Sequence, residues 1–286
     1  MSDFITKIIT KYYPDQKVVS IQNLSGGCIN NAIHVKTETK DFFIKSNKTS
    51  LIEMFQSEAK GLKLLHTLSP ISTPIVIDVG IIDDISFLVT SWIQKGSPNS
   101  KFWKDFGTNL ARQHKETSEL FGLDHDNFIG SLPQSNNQHS SWYDFFIEER
   151  LTPQLKLATS KSFVDRNLLK QFDILMGQLD QLIPNEKPAL LHGDLWSGNY
   201  MINSNGEASI FDPAVHYGHR ETELAFTMLF GGFSPQFYEY YREEYPLESG
   251  FEERVDIHNL YPLLVHVNLF GTSYLSGIQQ TLKRFT

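Results

Sequence analysis

The first third of the chain consists of short apolar runs that alternate with polar residues and are separated by turn residues. The stretch VVSIQNLSGGCINNAIHVKTETKDFFIKSN, residues 18–47, is typical of an antiparallel meander of two or three strands. Two further strands are predicted over residues 72–82 and 84–93. Between the meander and these strands, the apolar residues of 50–69 recur at helical spacing, and Ser50 is the predicted N-cap. The pattern therefore predicts an antiparallel sheet with one helix.

The rest of the chain has mainly helical periodicity. It begins after QKGSPNSK, residues 94–101, where Gly, Ser and Pro interrupt the pattern. An Asn205-Gly206 pair between NYMIN and EASIFD is the strongest short-range hairpin signal in the sequence. The acidic, aromatic residues 237–256 are interpreted as a solvated helix face, and residues 254–285 as one or two terminal helices. Apolar residues at three- and four-residue spacing predict helices over residues 101–120, 141–158 and 164–183.

Composition limits the partners and the setting of the protein. The 286 residues include 25 Lys and Arg against 33 Asp and Glu, a formal net charge of −8. An acidic chain without a basic cluster is a poor candidate for binding nucleic acid or anionic membranes. No apolar run reaches the ~18 residues of a membrane span, and the N-terminal stretch lacks the pattern of a signal peptide, so we expect a cytoplasmic protein. A single cysteine, Cys28, excludes an internal disulfide and a four-thiolate zinc site.

The densest group of candidate functional residues is LLHGDLWSGNYMIN, residues 190–203, followed by Asp212 after the predicted hairpin. His192, Asp194 and Asn199 have the His-x-Asp-x-x-x-x-Asn spacing of a kinase catalytic loop. In phosphoryl transfer, an acid at the Asp position accepts the proton of the attacking hydroxyl, and oxygen ligands hold Mg²⁺ against the phosphates. We therefore predict that Asp194 is the base, that Asn199 and Asp212 bind Mg²⁺, and that His192 braces the loop backbone.

A second group that suits a kinase lies upstream of this loop. DFFIKS places Lys45 on a predicted strand, and Glu58 follows on the predicted helix, as in a phosphate-binding lysine that is tethered by a helix glutamate. Glu53 is a rival partner for the lysine. In LSGGCINN, Gly26 and Gly27 allow the backbone to approach a phosphate, and successive N–H groups there can form an anion-binding nest.

Four stretches of the sequence resemble one known family. They are SGGCINNA, FGLDHDNFIGSLPQSNNQHSSWYDFFIEERLTPQL, HGDLWSGN and FDPAVHYGHRETELA. They are similar to the fructosamine kinase (ketosamine-3-kinase) family, which is related to the aminoglycoside phosphotransferases. The resemblance runs in order from about residue 20 to the C-terminus. It implies an α+β, protein-kinase-like fold of two lobes, with a small antiparallel-sheet lobe at residues 1–92 and a larger helical lobe at residues 93–286.

The resemblance also implies a reaction and a set of site residues. Members phosphorylate a sugar hydroxyl with ATP and Mg²⁺, typically O3 of a ketosamine, and loss of the 3-phosphate then frees the glycated amine. The expected partners are thus small ketosamines or glycated amines, and both a monomer and a homodimer stay open. The ATP-binding residues would be Gly26, Gly27, Cys28, Lys45 and Glu58, with the hinge residues Ser91, Trp92 and Ile93 bound to adenine through backbone groups. Substrate contacts are expected from Trp196, His216, Tyr217 and Glu221.

Other interpretations remain open at this point. The chain could be a kinase for another small hydroxyl substrate, such as an aminoglycoside or an amino alcohol. It could be a non-catalytic nucleotide-binding module, or a hydrolase whose metal is held by His192, Asp194, His216 and His219, since imidazole suits zinc. Asp105 belongs to a DFG tripeptide that precedes the catalytic loop, and we interpret it as a helix-surface residue. Cys28 is either a small buried residue or a redox-sensitive thiol.

Overall fold

The structure is a computed structural model that describes residues 2–24 and 29–285. The predictions for Gly26, Gly27 and Cys28 fall on residues 25–28, which lie outside the described residues, so they stay predictions. None of the helices in the described part of the chain combines the length and the apolar character that a membrane span requires.

Within the described residues, the N-terminal lobe is built on a five-stranded antiparallel sheet with the strand order β1-β2-β3-β5-β4. The sheet confirms the predicted meander and the two further strands. Strand β3 lies in the middle of the sheet and pairs with β2 and β5, so its residues are held from both sides. The strands are β1 (Val18–Leu24), β2 (Asn31–Thr37), β3 (Asp41–Lys48), β4 (Val76–Ile82) and β5 (Ile85–Ser91).

One face of the sheet is covered by an N-terminal helix, α1 (Ser2–Tyr12). Its Ile5 and Ile8 are buried against Phe42 and Ile44 of β3. The sequence analysis did not predict α1, although its apolar residues recur at the three- and four-residue spacing of an amphipathic helix. Burying this helix on the sheet gives the small lobe a core of its own.

The opposite face packs against the predicted helix, α2 (Ile52–Leu68). Phe55 and Leu62 of α2 are buried beside Leu88 of β5. Side chains alternate between the two faces of a strand. Since Ile44 of β3 faces α1, its neighbour Lys45 points to the other face, toward α2. The sheet therefore places the predicted lysine next to the predicted glutamate.

The predicted N-cap of α2 is wrong. Ser50 lies in a 3-10 turn (Thr49–Leu51), and α2 begins without a side-chain cap hydrogen bond. The turn itself supplies an acceptor, because the N–H of Ile52 donates to Thr49 O. A backbone turn thus replaces the expected serine side chain.

The C-terminal lobe is mainly helical, and the three helical stretches predicted over residues 101–183 are confirmed. A π-helical segment (Phe146–Leu151) joins α4 to α5, and a 3-10 turn (Thr272–Tyr274) precedes α12. The helices are α3 (Phe102–His114), α4 (Trp142–Phe145), α5 (Thr152–Ser160), α6 (Arg166–Met176), α7 (Leu179–Leu182), α8 (Arg220–Leu229), α9 (Pro235–Glu244), α10 (Phe251–His258), α11 (Leu260–Phe270) and α12 (Leu275–Leu282).

Two expectations for the C-terminal part need correction. Residues 237–256 are not simply a solvated face, because Phe237 and Tyr241 of α9 are completely buried and Phe237 packs against Phe106 of α3. Aromatic residues four positions apart give α9 a second, core-facing side. In addition, the terminal stretch contains α11 and α12 together with most of α10, more than the one or two helices expected.

Short antiparallel strand pairs position the loops of the C-terminal lobe. The pair β9–β10 is the hairpin predicted at Asn205-Gly206, and that prediction is confirmed. Gly206 has a left-handed φ of 78° and donates its N–H to Asn203 O at 2.9 Å, which closes the turn. The pairs are β6 (Asn127–Ile129) with β7 (Leu132–Gln134), β8 (Ala189–Leu191) with β11 (His216–Gly218), and β9 (Tyr200–Ile202) with β10 (Ala208–Ile210).

The segment between the lobes lies directly on this hairpin. Gly96 donates its N–H to Ile202 O at 2.9 Å. A Cβ on Gly96 would lie 2.2 Å from Asn203 O, so this close approach requires glycine. The sheet ends at Ser91, but the lobe boundary at residue 92 itself stays a prediction.

Candidate active site

The predicted catalytic loop connects β8 to β9 and turns sharply at Gly193, whose φ is 83°. A Cβ at this position would lie 2.0 Å from Ala214 O, so only glycine fits without moving the backbone. The N–H of Ala214 donates to His192 O at 2.9 Å. The loop is thereby held against the segment that follows Asp212, and the two predicted acids are brought together.

His192 braces this loop, as the sequence analysis predicted. Its side chain is buried, and its Nε2–H donates to Phe211 O at 2.9 Å. Burial lowers the pKa of His192, which keeps the ring neutral. In the neutral ring Nδ1 is an acceptor, and it receives the N–H of Asp194 at 3.3 Å.

Asp194 is oriented by Asn199, five residues later in the same loop. Asn199 Nδ2 donates to Asp194 Oδ2 and to its backbone oxygen, both at 2.8 Å. This leaves the amide oxygen of Asn199 free to face another ligand. Burial raises the pKa of Asp194 well above its usual range; the hydrogen bond from Asn199 opposes this effect and the nearby Asp212 adds to it. The direction of this shift favours uptake of a proton by the Asp194 carboxylate.

Lys45 connects the two lobes at this site. Its Nζ donates to Glu58 Oε1 at 2.8 Å and to Asp212 Oδ1 at 2.6 Å. Burial alone lowers the pKa of Lys45, but the Asp212 and Glu58 carboxylates raise it above its ordinary value, so the lysine stays charged. The contact with Glu58 excludes Glu53 as the partner. Asp212 has a left-handed φ of 56°, which aspartate tolerates better than most residues.

Glu223 of α8 holds the backbone of the catalytic loop. Its Oε1 accepts the N–H of Gly193 at 2.7 Å, and its Oε2 accepts the N–H of His192 at 3.2 Å and His114 Nε2 at 2.9 Å. Burial alone raises the pKa of Glu223, but the hydrogen bond and charge of His114 lower it below its usual value. The sequence analysis did not find this role, because no local spacing relates Glu223 to the loop.

The predicted hinge offers fewer free backbone groups than expected. The N–H of Ser91 already donates to Ile75 O at 2.8 Å, so Ser91 has only its carbonyl oxygen to offer. The Trp92 ring stacks on His34, with ring centroids 3.9 Å apart. Among the described residues, the N–H of Ile93 has no hydrogen-bond acceptor.

A cavity opens beside Asp194 in the C-terminal lobe. Its volume, counted as the space open to the centres of water molecules, is about 50 Å³. Since one water needs roughly 10–15 Å³ on this measure, the cavity has room for several water-sized groups. Its lining includes Trp142, Gly193, Asp194, His216 and Tyr261.

Two residues predicted to contact substrate lie in β11. His216 lines the cavity and is buried, and burial together with the charge of Arg150 lowers its pKa well below the usual range. Tyr217, its neighbour, does not belong to the cavity lining. Its backbone instead exchanges hydrogen bonds with Gly122 at 2.8 and 2.9 Å. His216 therefore remains a candidate substrate contact, and Tyr217 has a structural position.

The prediction that Glu221 contacts substrate is wrong. Its carboxylate is completely buried and accepts hydrogen bonds from Arg254 Nε at 2.8 Å and Arg254 Nη2 at 2.6 Å. His258 Nε2 lies 3.1 Å from the same carboxylate. Burial alone raises the pKa of Glu221, but the hydrogen bonds from Arg254 and His258 lower it to about 2. Glu221 therefore ties α8 to α10 and does not line the cavity.

Trp196 lies at the surface beside the catalytic loop. Its side chain lies over Gly198, where an added Cβ would come within 2.3 Å of the indole ring. The ring is 38% exposed and lies 6.1 Å from the ring of Phe230. Trp196 is thus outside the cavity lining, on an exposed aromatic surface, and its contact with substrate stays a prediction.

The residues of the hydrolase alternative do not converge on a metal site. In the described chain, the groups of acids and histidines close enough to share an ion are His219 with Glu221 and His258, and His139 with Glu148 and Glu149. Neither group includes His192, Asp194 or His216, and Arg254 already occupies the Glu221 carboxylate.

Comparison with known proteins decides the family. The sequence model of the family described as fructosamine kinase matches residues 1–286. The chain belongs to the fructosamine kinase family. A probable ketoamine kinase of Synechocystis sp. is 40% identical to it over 268 residues, which cover 92% of this chain and 89% of that protein. A chloroplastic protein-ribulosamine 3-kinase of Arabidopsis thaliana is 37% identical over 266 residues, which cover 91% of this chain and 81% of that protein.

Solved structures confirm the predicted fold class. A crystal structure from Haemophilus somnus, provisionally named fructosamine-3-kinase, superposes with a TM-score of 0.88 at 30% identity, covering 98% of this chain and 96% of that chain. An aminoglycoside phosphotransferase in complex with AMP-PNP and hygromycin B superposes with a TM-score of 0.64 at 15% identity. The superposition covers 98% of this chain and 97% of that chain. The second similarity establishes the shared fold alone. This chain therefore shares its two-lobed fold with the aminoglycoside phosphotransferase.

Proposed function

We propose that this chain is an ATP-dependent kinase that phosphorylates O3 of ketosamines such as fructosamine and ribulosamine. The observation that carries the proposal is the convergence of Lys45, Asp194, Asn199 and Asp212 beside a cavity, in a family whose relatives include a protein-ribulosamine 3-kinase. A ketosamine 3-phosphate loses its phosphate by elimination, which frees the amine. The proposed role is therefore deglycation.

The donor set beside Asp194 fits Mg²⁺. Mg²⁺ prefers oxygen ligands and usually binds proteins through one or two carboxylates together with waters and phosphates. The Asp212 carboxylate is 43% exposed, and the amide oxygen of Asn199 is left free by the contacts of Nδ2. Asp212 and Asn199 would hold the ion, which when bound neutralises charge on the phosphates.

The N-terminal lobe supplies the proposed nucleotide contacts. Lys45, held by Glu58, would bind the phosphates once it is released from Asp212. The carbonyl oxygen of Ser91 and the N–H of Ile93 would bind the adenine edge, since these groups lie two residues apart along the hinge. Gly26 and Gly27 remain the predicted phosphate-binding loop.

Asp194 is the proposed general base. It would accept the proton of the sugar hydroxyl as the hydroxyl oxygen forms its bond to the γ-phosphorus and the bond to the β-phosphate oxygen breaks. Asn199 holds the Asp194 carboxylate in place. The raised pKa of Asp194 favours its role as a base. Glu223 fixes the loop that carries Asp194 through the N–H groups of His192 and Gly193.

The cellular setting and the partners rest on the sequence. The similarity to ketoamine and ribulosamine kinases supports small ketosamines or glycated amines as partners, and the net charge of −8 argues against nucleic acid and anionic membranes. A cytoplasmic location and the choice between monomer and homodimer stay predictions.

The proposal is tested with a substrate panel. Purified protein is incubated with Mg²⁺-ATP and with fructosamine, ribulosamine, an aminoglycoside or an amino alcohol, and ADP release is measured. We expect turnover of the ketosamines only, with ³¹P NMR showing a phosphate ester at O3. Turnover of the aminoglycoside alone, or a product phosphorylated at another hydroxyl, would contradict the proposal.

A further inference from the structure

Three residues that line the cavity beside Asp194 each have a buried polar atom without a hydrogen-bond partner among the described residues. These atoms are Trp142 Nε1, Arg150 Nε and His258 Nδ1. The described chain has six such side-chain atoms, so half of them belong to the lining of one cavity. Buried polar groups are nearly always paired, because leaving one unpaired is destabilising. Their concentration around one cavity points to a ligand that completes the pairing.

Arg150 brings a positive charge to a lining that also contains the carboxylates of Asp194 and Glu223. Its side chain is 1% exposed, and it forms no ion pair with a carboxylate in the described part of the chain. Its other N–H groups donate to Ser135 O at 2.6 Å and to Asn136 Oδ1 at 2.7 Å, both uncharged. A buried cation that lacks a counter-ion disfavours a second cation nearby. The immediate surroundings of Arg150 therefore disfavour the ammonium end of a ketosamine.

The three unpaired atoms differ in hydrogen-bonding character. Trp142 Nε1 and Arg150 Nε are donors only. His258 Nε2 lies 3.1 Å from the carboxylate of Glu221, which only accepts, so Nε2 carries a proton and Nδ1 is the ring nitrogen left for another partner. Hydroxyl groups suit all three atoms, because each hydroxyl both donates and accepts.

We propose that Trp142, Arg150 and His258 bind the hydroxyls of the sugar tail, C4 to C6, and thereby set the specificity for the sugar. The inference rests on the proposed function, which places O3 at Asp194. The cavity has room for several water-sized groups, as a short chain of hydroxylated carbons requires. The amine end of the substrate then points out of the cavity.

The residues at the mouth of the cavity suit a substrate whose amine end points out of the cavity. His266 lines the cavity and lies 4.8 Å from the ring of Phe230, and Phe230 lies 6.1 Å from Trp196. Phe230 and Trp196 are 40% and 38% exposed. This aromatic surface gives the aliphatic part of a substituted amine, such as a lysine side chain, a place to pack. Ketosamines of small amines and of lysine side chains are thus bound in the same orientation.

The test combines Trp142→Phe with a series of substrates. Phenylalanine removes the indole N–H and keeps an aromatic ring. kcat/KM is measured for fructosamine and for its 4-, 5- and 6-deoxy analogues, with wild-type protein, Trp142→Phe and the matched control Trp103→Phe. Trp103 packs among aromatic rings of α3 and α9, outside the cavity lining.

For fructosamine we expect Trp142→Phe to lower kcat/KM about 3- to 10-fold, the factor of one uncharged hydrogen bond. For one deoxy analogue, the one that lacks the hydroxyl bound by Trp142, wild type and variant should have equal kcat/KM. The KM for ATP should be unchanged, and Trp103→Phe should behave as wild type.

Three outcomes would overturn the inference. An equal loss on fructosamine and on every deoxy analogue would make Trp142 a structural residue. A ketosamine with a phosphorylated tail that is used more than 10-fold better than fructosamine would make the cavity an anion site. Failure of the wild-type protein to phosphorylate any ketosamine would overturn the proposed function itself, and it is distinguishable because the other two outcomes require measurable turnover of a ketosamine.

Discussion

The two sides of the catalytic loop differ in how their polar groups are paired. On the nucleotide side, Lys45 binds both Glu58 and Asp212, and Asn199 binds Asp194. On the sugar side, the lining residues of the cavity keep buried N–H groups without partners in the described chain. The groups proposed to handle phosphate are thus held in place by one another, whereas the groups proposed to distinguish sugars would receive their last hydrogen bond from the substrate.

The largest effect is expected where the two sides meet, at Asp194. Asp194→Asn keeps the shape of the side chain but cannot accept the hydroxyl proton, so kcat should fall by about 10²–10⁴. ATP binding should persist, because Lys45, Asn199 and Asp212 are unchanged. Phosphoryl-transfer assays of the variant measure kcat, and ATP titration measures the affinity for ATP. Asp105→Asn is the matched control and should retain activity; near wild-type turnover by Asp194→Asn would refute the assignment of the base.

A change on the nucleotide side tests whether its pairing matters. Glu58→Gln removes the charge that holds Lys45, and a charged hydrogen bond is worth about 1.5–3 kcal/mol. We therefore expect kcat/KM for ATP to fall roughly 10- to 100-fold, with little change in the relative use of different ketosamines. The exposed Glu53→Gln on the same helix is the control. If both variants lose activity equally, the Lys45–Glu58 contact has no special role.

A change in the support of the loop affects both sides at once. Glu223→Gln replaces an acceptor of the His192 and Gly193 N–H groups with an amide that also carries donors. We expect a loss of about 1–3 kcal/mol in the free energy of unfolding and a lower kcat, with the KM for ATP nearly unchanged. Urea unfolding and steady-state kinetics measure these quantities. The exposed Glu207→Gln is the control. If Glu223→Gln is as stable and active as this control, Glu223 does not support the catalytic loop.

A further effect is expected in the pH dependence of the free energy of unfolding, on the sugar side. Burial lowers the pKa of His219, which packs near Trp142 and His258, to about 4. The unfolded chain, with a histidine pKa near 6.5, binds this proton first. The contribution of neutral His219 to the free energy of unfolding is therefore fully present above about pH 6.5. It decreases toward pH 4 by about 1.4 kcal/mol per pH unit.

The free energy of unfolding from urea titrations at pH 7, 6 and 5 tests this dependence. His219→Asn should reduce the decrease, with the remainder coming from the buried His192 and His216, whereas the exposed His66→Asn should leave it as in wild type. A decrease of the same size in both variants would assign the acid sensitivity to other groups.

The sequence predicted the nucleotide side far better than the sugar side. Asp194, Asn199 and Asp212 lie within one loop and one hairpin, so their separation along the chain already limits their separation in space. Lys45 and Glu58 are similarly linked by one strand and one helix. The assignment of these residues to catalysis and metal binding still rests on the proposal above.

The sugar side has no comparable local signature. Trp142, Arg150 and His258 come from α4, the π-helical segment and α10, and only packing of the large lobe brings them to one cavity. A buried arginine without a carboxylate cannot be recognised from sequence, because its neighbours are set by tertiary contacts. The same reason explains why Glu221, which shares a segment with His216, was wrongly assigned to substrate.

The contact of Lys45 with Asp212 has a consequence for the resting protein. Without nucleotide, the lysine ammonium is the counter-ion of the aspartate at 2.6 Å, across the boundary between the lobes. Asp212 is thus neutralised before any metal arrives, so a stray divalent cation must compete with a tethered charge. The phosphates of a nucleotide relieve this competition by giving Lys45 another anion. With Asp212 as the proposed metal ligand, binding of the ion would therefore be coupled to binding of the nucleotide, and Lys45 would oppose the binding of other ions when no nucleotide is present.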